Sequence, residues 1–234
     1  KWQSLIKKKK VFKNSKVYWN NPSDLRKKSN SYTDDELKGV RVIKLMGGEP
    51  FHAKETGELL ERIDSLGIAP NMRLETPTNC STFPTLRQQE ILSKFEQLGI
   101  GTSFDGVREL NDWIRYGSKW DVVIKNFEKW LEFCETHRSP ETTVTISNTV
   151  TVLNVNRLAE FYRFFGQYFS NLSKISSFPA FHPDHLSIRN LREVEVEPWL
   201  GELGSVLYGS GKQHGDPMAD IRARAESRIM SGND

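Results

Sequence analysis

A short Gly-Gly-Glu-Pro sequence, residues 47–50, has the residue types of a ligand-binding strand end. It directly follows the β-branched, apolar run of residues 40–46, which is typical of a buried strand. The two glycines, Gly47 and Gly48, let the backbone approach a ligand closely, and the carboxylate of Glu49 can bind an ammonium group. Pro50 stiffens the chain where it leaves the strand. The same residues also fit an ordinary tight turn with an exposed glutamate, so both interpretations stay open.

Polar residues follow the next two predicted strands as well. Thr78 and Asn79 end one strand, where small polar groups can bond a ribose hydroxyl. Ser103 and Asp105 end the next, and the two-residue period of a strand places them on the same side. Arg115 follows, and a guanidinium suits bidentate binding of a carboxylate. Taken singly, these residues are equally typical of loops, of an Asp-Gly turn and of a helix surface.

The longest predicted strand closes at residues 149–154. Its apolar members, among them Val152, can press on a flat ring, and Asn154 can cap the helix that follows. Core packing and a helix cap explain the same residues without a ligand.

The elements that carry these residues alternate between strand and helix. Runs rich in apolar and β-branched residues predict strands, and apolar residues three and four apart predict helices. Thr33 and Glu36 fit a capping box, Thr56 fits an N-cap and Gly67 fits a C-cap. Strict alternation predicts an α/β fold with a parallel sheet, either doubly wound or part of a (β/α) barrel. The predicted strands are residues 40–46, 72–76, 100–104, 142–153 and 175–181, and the predicted helices are residues 56–66, 85–98, 121–134 and 158–169.

Together and in this order, the strand-end residues resemble the radical S-adenosylmethionine (SAM) superfamily. The resemblance covers roughly residues 40–190 and is closest to the branch with a SPASM or twitch extension after the barrel. It implies a partial (β/α)6 TIM-like barrel whose first strand and cluster loop are missing from this chain. It assigns the SAM amino group to Gly47, Gly48, Glu49 and Pro50, the SAM carboxylate to Ser103 and Arg115, the ribose or substrate to Thr78, Asn79 and Asp105, and the adenine to Val152 and Asn154.

The chain departs from this family in its cysteines. The family's Cys-x3-Cys-x2-Cys motif ligates a [4Fe–4S] cluster through thiolates, and this sequence lacks it. Cys80 and Cys134 match none of the ligand positions. His182 and His185, in a proline-containing loop, are typical of polar loop residues, so no metal ligand is assigned. We therefore expect this chain alone not to hold the cluster, and the missing cysteines to precede residue 1 in the intact protein.

The resemblance also implies a reaction. In an intact relative, a reduced cluster cleaves SAM to methionine and a 5′-deoxyadenosyl radical, which takes a hydrogen atom from the substrate. Such an enzyme needs an electron donor, and many members of this branch modify peptides or proteins. We expect a truncated core domain over residues 1–190, with a basic helical segment at residues 1–36. Residues 191–234 are expected to begin a helical extension.

Composition limits the remaining classes. The chain has 234 residues, 37% of them hydrophobic and 27% charged, which suits one large or two small globular domains. No signal peptide and no apolar run of about 20 residues is present, which favours the cytoplasm over a membrane.

The net charge of +3 is too small to indicate nucleic-acid binding. Lysines crowd residues 1–16, so the alternative is a non-catalytic module that contacts RNA, DNA or a partner protein through that segment. No G-x-G-x-x-G sequence or P-loop supports an ordinary nucleotide-binding protein.

Overall fold

The computed structural model describes residues 32–209, except residues 138, 169 and 171. The chain divides into two compact units, residues 1–37 and 38–234. Near the boundary, helix α1 (Asp34–Lys38) starts with the predicted capping box. The Glu36 carboxylate accepts a hydrogen bond from the Thr33 N–H at 2.6 Å, and the Glu36 N–H donates to Thr33 Oγ1 at 3.2 Å. The predictions for the basic segment before Tyr32 and for residues 210–234 lie outside the described residues.

In the described part of the chain, the strands form one sheet in sequence order, and every neighbouring pair is parallel. This arrangement confirms the α/β class and matches part of a (β/α) barrel of the TIM-like type. The carboxyl ends of all strands lie at the same edge of such a sheet. The strands are β1 (Val42–Lys44), β2 (Arg73–Thr78), β3 (Gln97–Ser103), β4 (Thr143–Val150) and β5 (Lys174–Pro179).

Helices connect the strands and follow the last of them. They are α2 (Lys54–Ser65), α3 (Leu86–Leu92), α4 (Glu109–Ile114), α5 (Trp120–Glu135), α6 (Leu158–Phe165) and α7 (Glu193–Gly209). Short 3-10 turns occupy Pro50–His52, Ala69–Asn71, Val155–Arg157, Gly166–Tyr168, Asp184–Leu186 and Ile188–Asn190. None of the helices among the described residues is long and apolar enough to cross a membrane.

The helix predicted over residues 85–98 was too long, as was the one predicted over residues 158–169, which ends at Phe165. The helix expected over residues 85–98 ends at Leu92, and β3 begins at Gln97. Phe95 and Leu98 continue the helical spacing and are both buried, which explains the error. Strand pairing overrides that local pattern, because β3 pairs with β2 from Gln97 onward, where Gln97 aligns with Arg73.

Two predicted helix caps had different outcomes. The N-cap predicted at Thr56 was wrong, because α2 already begins at Lys54 and Thr56 lies inside it, largely buried. The preceding 3-10 turn runs almost directly into the helix and sets its start. Gly67 ends the helix as predicted: it has a φ of +65°, and the next residue, Ile68, donates its N–H to the Ile63 carbonyl at 3.3 Å.

The two faces of the sheet differ in polarity. One face carries buried side chains such as Leu74, Ile100 and Ile146, which belong to the apolar core. Phe104, directly after β3, contacts the rings of Phe127 in α5 and Phe165 in α6 on that side. The alternate residues of the strands are partly or largely exposed. This second, open face is unusual for a parallel sheet, which is normally buried on both sides.

The last described helix packs on the body of this unit. α7 contacts α6, where Arg163 and Glu202 form an ion pair at 3.1 Å, and Leu203 is buried. The assignment of residues 191–234 to the start of a helical extension stays a prediction.

Candidate functional site

Glu49 is held at the carboxyl edge of the sheet by the end of β2. Its two carboxylate oxygens each lie 2.9 Å from Thr78 Oγ1, and one of them accepts the Asn79 N–H at 2.9 Å. Thr78 is buried, whereas Glu49 is half-buried. A carboxylate offers about four acceptor positions, so these contacts leave acceptor capacity for a further donor. The structure thus brings together two motifs that are about 30 residues apart in the chain.

The backbone before Glu49 is open. Gly47 has a φ of +151°, a conformation that favours glycine, and a Cβ added at Gly47 or at Gly48 would meet no atom within 4 Å. Both glycines are exposed, whereas Pro50 is buried and starts the 3-10 turn that anchors the loop. The loop therefore presents free backbone and one fixed carboxylate.

Partial burial raises the pKa of the Glu49 carboxyl above its ordinary value. Hydrogen bonds from Thr78 and Asn79 act in the opposite direction but do not cancel the burial effect. A cation beside this carboxylate would stabilise its ionised form. The electrostatics therefore favour a positively charged ligand.

A second group of polar residues joins the ends of β3 and β4. Arg115 Nε lies 2.9 Å from Asp105 Oδ2, while Asp105 Oδ1 accepts the Thr149 N–H at 2.8 Å. The Arg115 contact is an ion pair rather than an aligned hydrogen bond. The buried Nε of Arg115 has no hydrogen-bond partner among the described residues. The guanidinium is thus tethered to Asp105 but not saturated, since it carries five N–H donors.

Helix α4 places Arg115, and Asn111 fixes the start of this helix. Asn111 is buried, its Oδ1 accepts the Asp105 N–H at 3.1 Å, and its Nδ2 donates to Ser118 Oγ at 3.2 Å. Gly106 permits this packing, because an added Cβ would lie only 2.8 Å from Leu110 Cγ. Sequence reasoning missed Asn111, since an asparagine in a helix gives no local signal of a tertiary role.

Asn154 has a structural role that differs from the predicted cap. Its Nδ2 donates to the Asp105 carbonyl at 2.7 Å and to the Thr149 carbonyl at 2.8 Å. Its Oδ1 accepts the Thr151 N–H at 2.8 Å, and it makes no side-chain cap hydrogen bond to the helical turn that follows. The cap prediction was therefore wrong, because the amide is used to join β3 to β4. Its assignment to the adenine stays a prediction.

The other predicted residues lie around these two groups. Ser103, on the open face at the end of β3, is partly exposed, and no side-chain hydrogen bond is seen for it among the described residues. Val152 is partly exposed and donates its N–H to the Leu186 carbonyl at 3.1 Å. Their assignments to SAM stay predictions.

Cys80 lies within electrostatic range of both groups. Its burial raises the pKa of its thiol strongly, the charge of Glu49 raises it further, and the charge of Arg115 lowers it. Glu49 contacts the end of β2, and Arg115 contacts Asp105 just after β3, so both charged groups lie at the carboxyl edge of the sheet. An ammonium group and a carboxylate of a single ligand can be matched by such a pair of charges.

The cysteines do not fit the cluster that the resemblance implies. Cys80 and Cys134 are the two cysteines of the chain, and both are buried. Burial raises the pKa of Cys134 to about 12 and also raises that of Cys80, which disfavours the thiolates that iron requires. Among the described residues, no group of three or more His, Cys, Asp or Glu side chains could hold a metal ion.

An open groove of about 660 Å³ lies elsewhere, between α2 and the start of α3. Phe51, His52, Glu58, Thr85 and Gln88 are among its lining residues. None of the predicted site residues lines it, so it does not coincide with the strand-end site.

No protein-family model and no curated protein matches the sequence. Solved structures do match. The structure of anSMEcpe with bound AdoMet, which is SAM, covers 79% of this chain and 50% of its own, at 15% identity and a TM-score of 0.51. The structure of anSMEcpe with AdoMet and Cp18Cys peptide covers 77% and 49%, at 16% identity and a TM-score of 0.50.

This chain shares the fold of anSMEcpe. Streptococcus suis SuiB bound to S-adenosylmethionine also matches, covering 84% of this chain and 43% of its own, at 15% identity and a TM-score of 0.46. The chain therefore spans about half or less of the length of the structures that it matches.

Proposed function

We propose that this chain is the SAM-binding part of a radical SAM enzyme of the SPASM or twitch branch. The observation that carries the proposal is the Glu49 carboxylate, held by Thr78 and Asn79 beside the open Gly47-Gly48 backbone. The resemblance assigns the SAM amino group to these residues, and the raised pKa of Glu49 favours a cationic partner. A fold shared with a SAM-bound protein supports the same proposal.

Arg115 and Ser103 are proposed to hold the SAM carboxylate. The unsaturated guanidinium of Arg115 has donors to spare, and the Ser103 hydroxyl lies on the open face of β3. Asp105 orients Arg115 through their ion pair at 2.9 Å. Together with Glu49, these groups would bind both charged ends of the SAM amino-acid moiety, which fixes the ligand by electrostatics and hydrogen bonds.

Bound SAM supplies a sulfonium that can be cleaved to start radical chemistry, and the residues of this chain serve to bind and orient it. The Glu49, Thr78 and Asn79 contacts set the direction of the amino group. Val152 and Asn154 are proposed to lie near the adenine. Cys80 and Cys134, both buried with raised thiol pKa values, do not fit the [4Fe–4S] cluster as ligands.

A peptide or protein is the proposed substrate, with a separate electron donor as partner of the intact cytoplasmic enzyme. The anSMEcpe structure that shares this fold contains a Cp18Cys peptide. We further propose that residues 1–190 form the truncated core and that residues 191–234 begin the extension.

The test is SAM binding to the whole chain by isothermal titration calorimetry. We expect Glu49→Gln and Arg115→Gln each to weaken binding by roughly tenfold or more, because each removes one partner of a charge-assisted hydrogen bond. Glu141→Gln, at an exposed position before β4, serves as the matched control and should leave the affinity unchanged.

A truncated ligand sharpens this test. 5′-Methylthioadenosine keeps the adenine and ribose but has no amino or carboxylate group. Its affinity should be the same for the wild-type chain and for Glu49→Gln. The assignment of Glu49 to the amino group is wrong if Glu49→Gln binds SAM as tightly as the wild type does. It is also wrong if the substitution lowers the affinity for SAM and for 5′-methylthioadenosine equally.

A further inference from the structure

The open face of the sheet carries an excess of positive charge below the candidate SAM site. Lys44 aligns with Glu75, and Arg73 lies two residues before Glu75 on the same side of β2. Lys174 lies on this face of β5, because it aligns with Thr145 and, through it, with Gly101. Three cations therefore share this face with the single carboxylate of Glu75, among the described residues of the strands.

Glu75 does not neutralise these cations. Its Oε1 lies 3.0 Å from Arg73 Nη2, and its Oε2 lies 3.7 Å from Lys44 Nζ, so one carboxylate is shared by two positive groups. The side chains of Lys44 and Arg73 are 59% and 45% exposed. Lys174 is exposed and makes no ion pair with any described residue. The face thus keeps a net positive charge and unused N–H donors.

The neighbouring positions leave room for a ligand to reach these donors. Gly99 and Gly101 occupy the middle of β3 on this face, between the charged residues of β2 and β5. A Cβ at Gly99 would already lie 3.4 Å from Glu75 Cγ. Ser147 and Ser176 align with Ser103 and add hydroxyl groups toward the SAM site. A (β/α) barrel interior is normally filled by bulky branched residues, so this polar face is not a packed core.

We infer that this face, defined by Lys44, Arg73 and Lys174, binds acidic side chains of the peptide or protein substrate. The charge complementarity selects carboxylates, and Gly99, Gly101 and Ser103 of β3 lie on the same face of the sheet, which makes it continuous with the proposed SAM site. The inference rests on the proposed function for the identity of the substrate. The inference adds that, in the substrate, the segment next to the reacting residue is rich in Asp or Glu.

The experiment uses the whole chain and two short fluorescein-labelled peptides, identical except that one carries glutamates where the other carries glutamines. Binding is measured by fluorescence anisotropy. The acidic peptide should bind at least fivefold more tightly, and raising the salt from about 50 mM to about 300 mM should remove most of this difference. Lys174→Ala should lower the affinity for the acidic peptide roughly threefold to tenfold and leave the affinity for the neutral peptide unchanged.

Lys125→Ala, at an exposed position on α5, is the matched control for lost positive charge and should have no effect. Equal binding of the two peptides, or equal losses in Lys174→Ala and Lys125→Ala, would overturn the inference. A short oligothymidylate that competes for the same face with higher affinity would also overturn it, in favour of a nucleic-acid surface.

SAM titration of the same variants separates this inference from the proposed function. Lys174→Ala should bind SAM as the wild type does. If SAM fails to bind at all but the acidic peptide still depends on Lys174, the face binds acidic peptides and the proposed function fails. If SAM binds normally but the acidic peptide does not, the failure belongs to this inference alone.

Discussion

At the scale of single residues, the site depends on how each polar side chain is partnered. Glu49 is suited to binding a charged ligand because its partners, Thr78 and Asn79, orient the carboxylate without neutralising its charge. Arg115 is useful because its ion pair with Asp105 tethers it while leaving donors unused. Asn154, in contrast, uses its side-chain amide mainly for hydrogen bonds to backbone groups. The first two residues are thus suited to ligand binding, and the third to support.

Glu49 predicts a pH dependence of SAM binding. Because its pKa is raised by burial, affinity for the ammonium group should increase as the pH rises through that raised pKa, above the ordinary range of a glutamate carboxyl. Titration calorimetry across this range should show the increase in the wild type and not in Glu49→Gln. A flat profile for the wild type would contradict the assignment.

The same group predicts an opposite effect on stability without ligand. A carboxyl whose folded pKa is raised contributes stability below its unfolded pKa, about 4.3, and this contribution is lost as pH rises through the folded pKa. Urea unfolding should therefore show that Glu49→Gln gains stability relative to the wild type as pH increases through this window. A relative loss over the same window would contradict the raised pKa.

Asn154 predicts a loss of stability. Replacing it by alanine removes the hydrogen bonds that join β3 to β4 and leaves buried backbone groups unpaired, so Asn154→Ala should lower the free energy of unfolding by about 2–3 kcal/mol. Asn71→Ala, at an exposed position, should change it by less than about 0.5 kcal/mol. Urea unfolding monitored by tryptophan fluorescence checks both values.

At the scale of elements, the turn between β3 and α4 links packing to the site. Gly106 is packed so closely that a Cβ would come within 2.8 Å of Leu110 Cγ and 3.0 Å of the Asn111 backbone nitrogen. Any displacement of α4 would move Arg115, which immediately follows this helix. Packing of this turn therefore controls the position of the guanidinium.

Gly106→Ala is expected to lower both stability and SAM affinity. The free energy of unfolding should decrease by about 1–3 kcal/mol, as is typical of overpacking, and SAM binding should weaken in calorimetry. Gly201→Ala is the matched control in α7, where an added Cβ meets no atom within 4 Å. It should stabilise the helix by roughly 0.5–1 kcal/mol, because alanine is the better helix former. Unchanged SAM affinity in Gly106→Ala would argue against this role of the turn.

At the scale of the whole molecule, the sheet separates a core from an open face. The apolar core lies on one side, where Phe104, Phe127 and Phe165 are in ring contact. The other side carries charges, hydroxyl groups and glycines beside the strand ends. Both cysteines are buried with the core residues, away from solvent.

This arrangement predicts the reactivity of the thiols. In the native chain, neither Cys80 nor Cys134 should react quickly with a thiol reagent such as dithionitrobenzoate, because both are buried and their raised pKa values disfavour the thiolate. Both should react in concentrated guanidinium chloride, which exposes them. Rapid reaction of either thiol in the native chain would show that the core opens readily at that position.

The sequence by itself determined the order of the elements and the residues at the strand ends. The spacing of apolar residues, the glycines that end helices and the capping box at Thr33 are local signals. The elements that they mark could therefore be predicted without knowledge of the fold. Local signals also caused the errors: the spacing of Phe95 and Leu98 extended a helix into β3.

Only the tertiary structure decided which of these residues meet. Thr78 contacts Glu49, Asp105 contacts Arg115, and Asn154 joins β3 to β4 because parallel pairing brings together segments that lie far apart in the chain. The positive, open face likewise depends on the register of β1, β2 and β5 relative to one another. Register is set by the packing of the whole sheet, and no single stretch of sequence contains it.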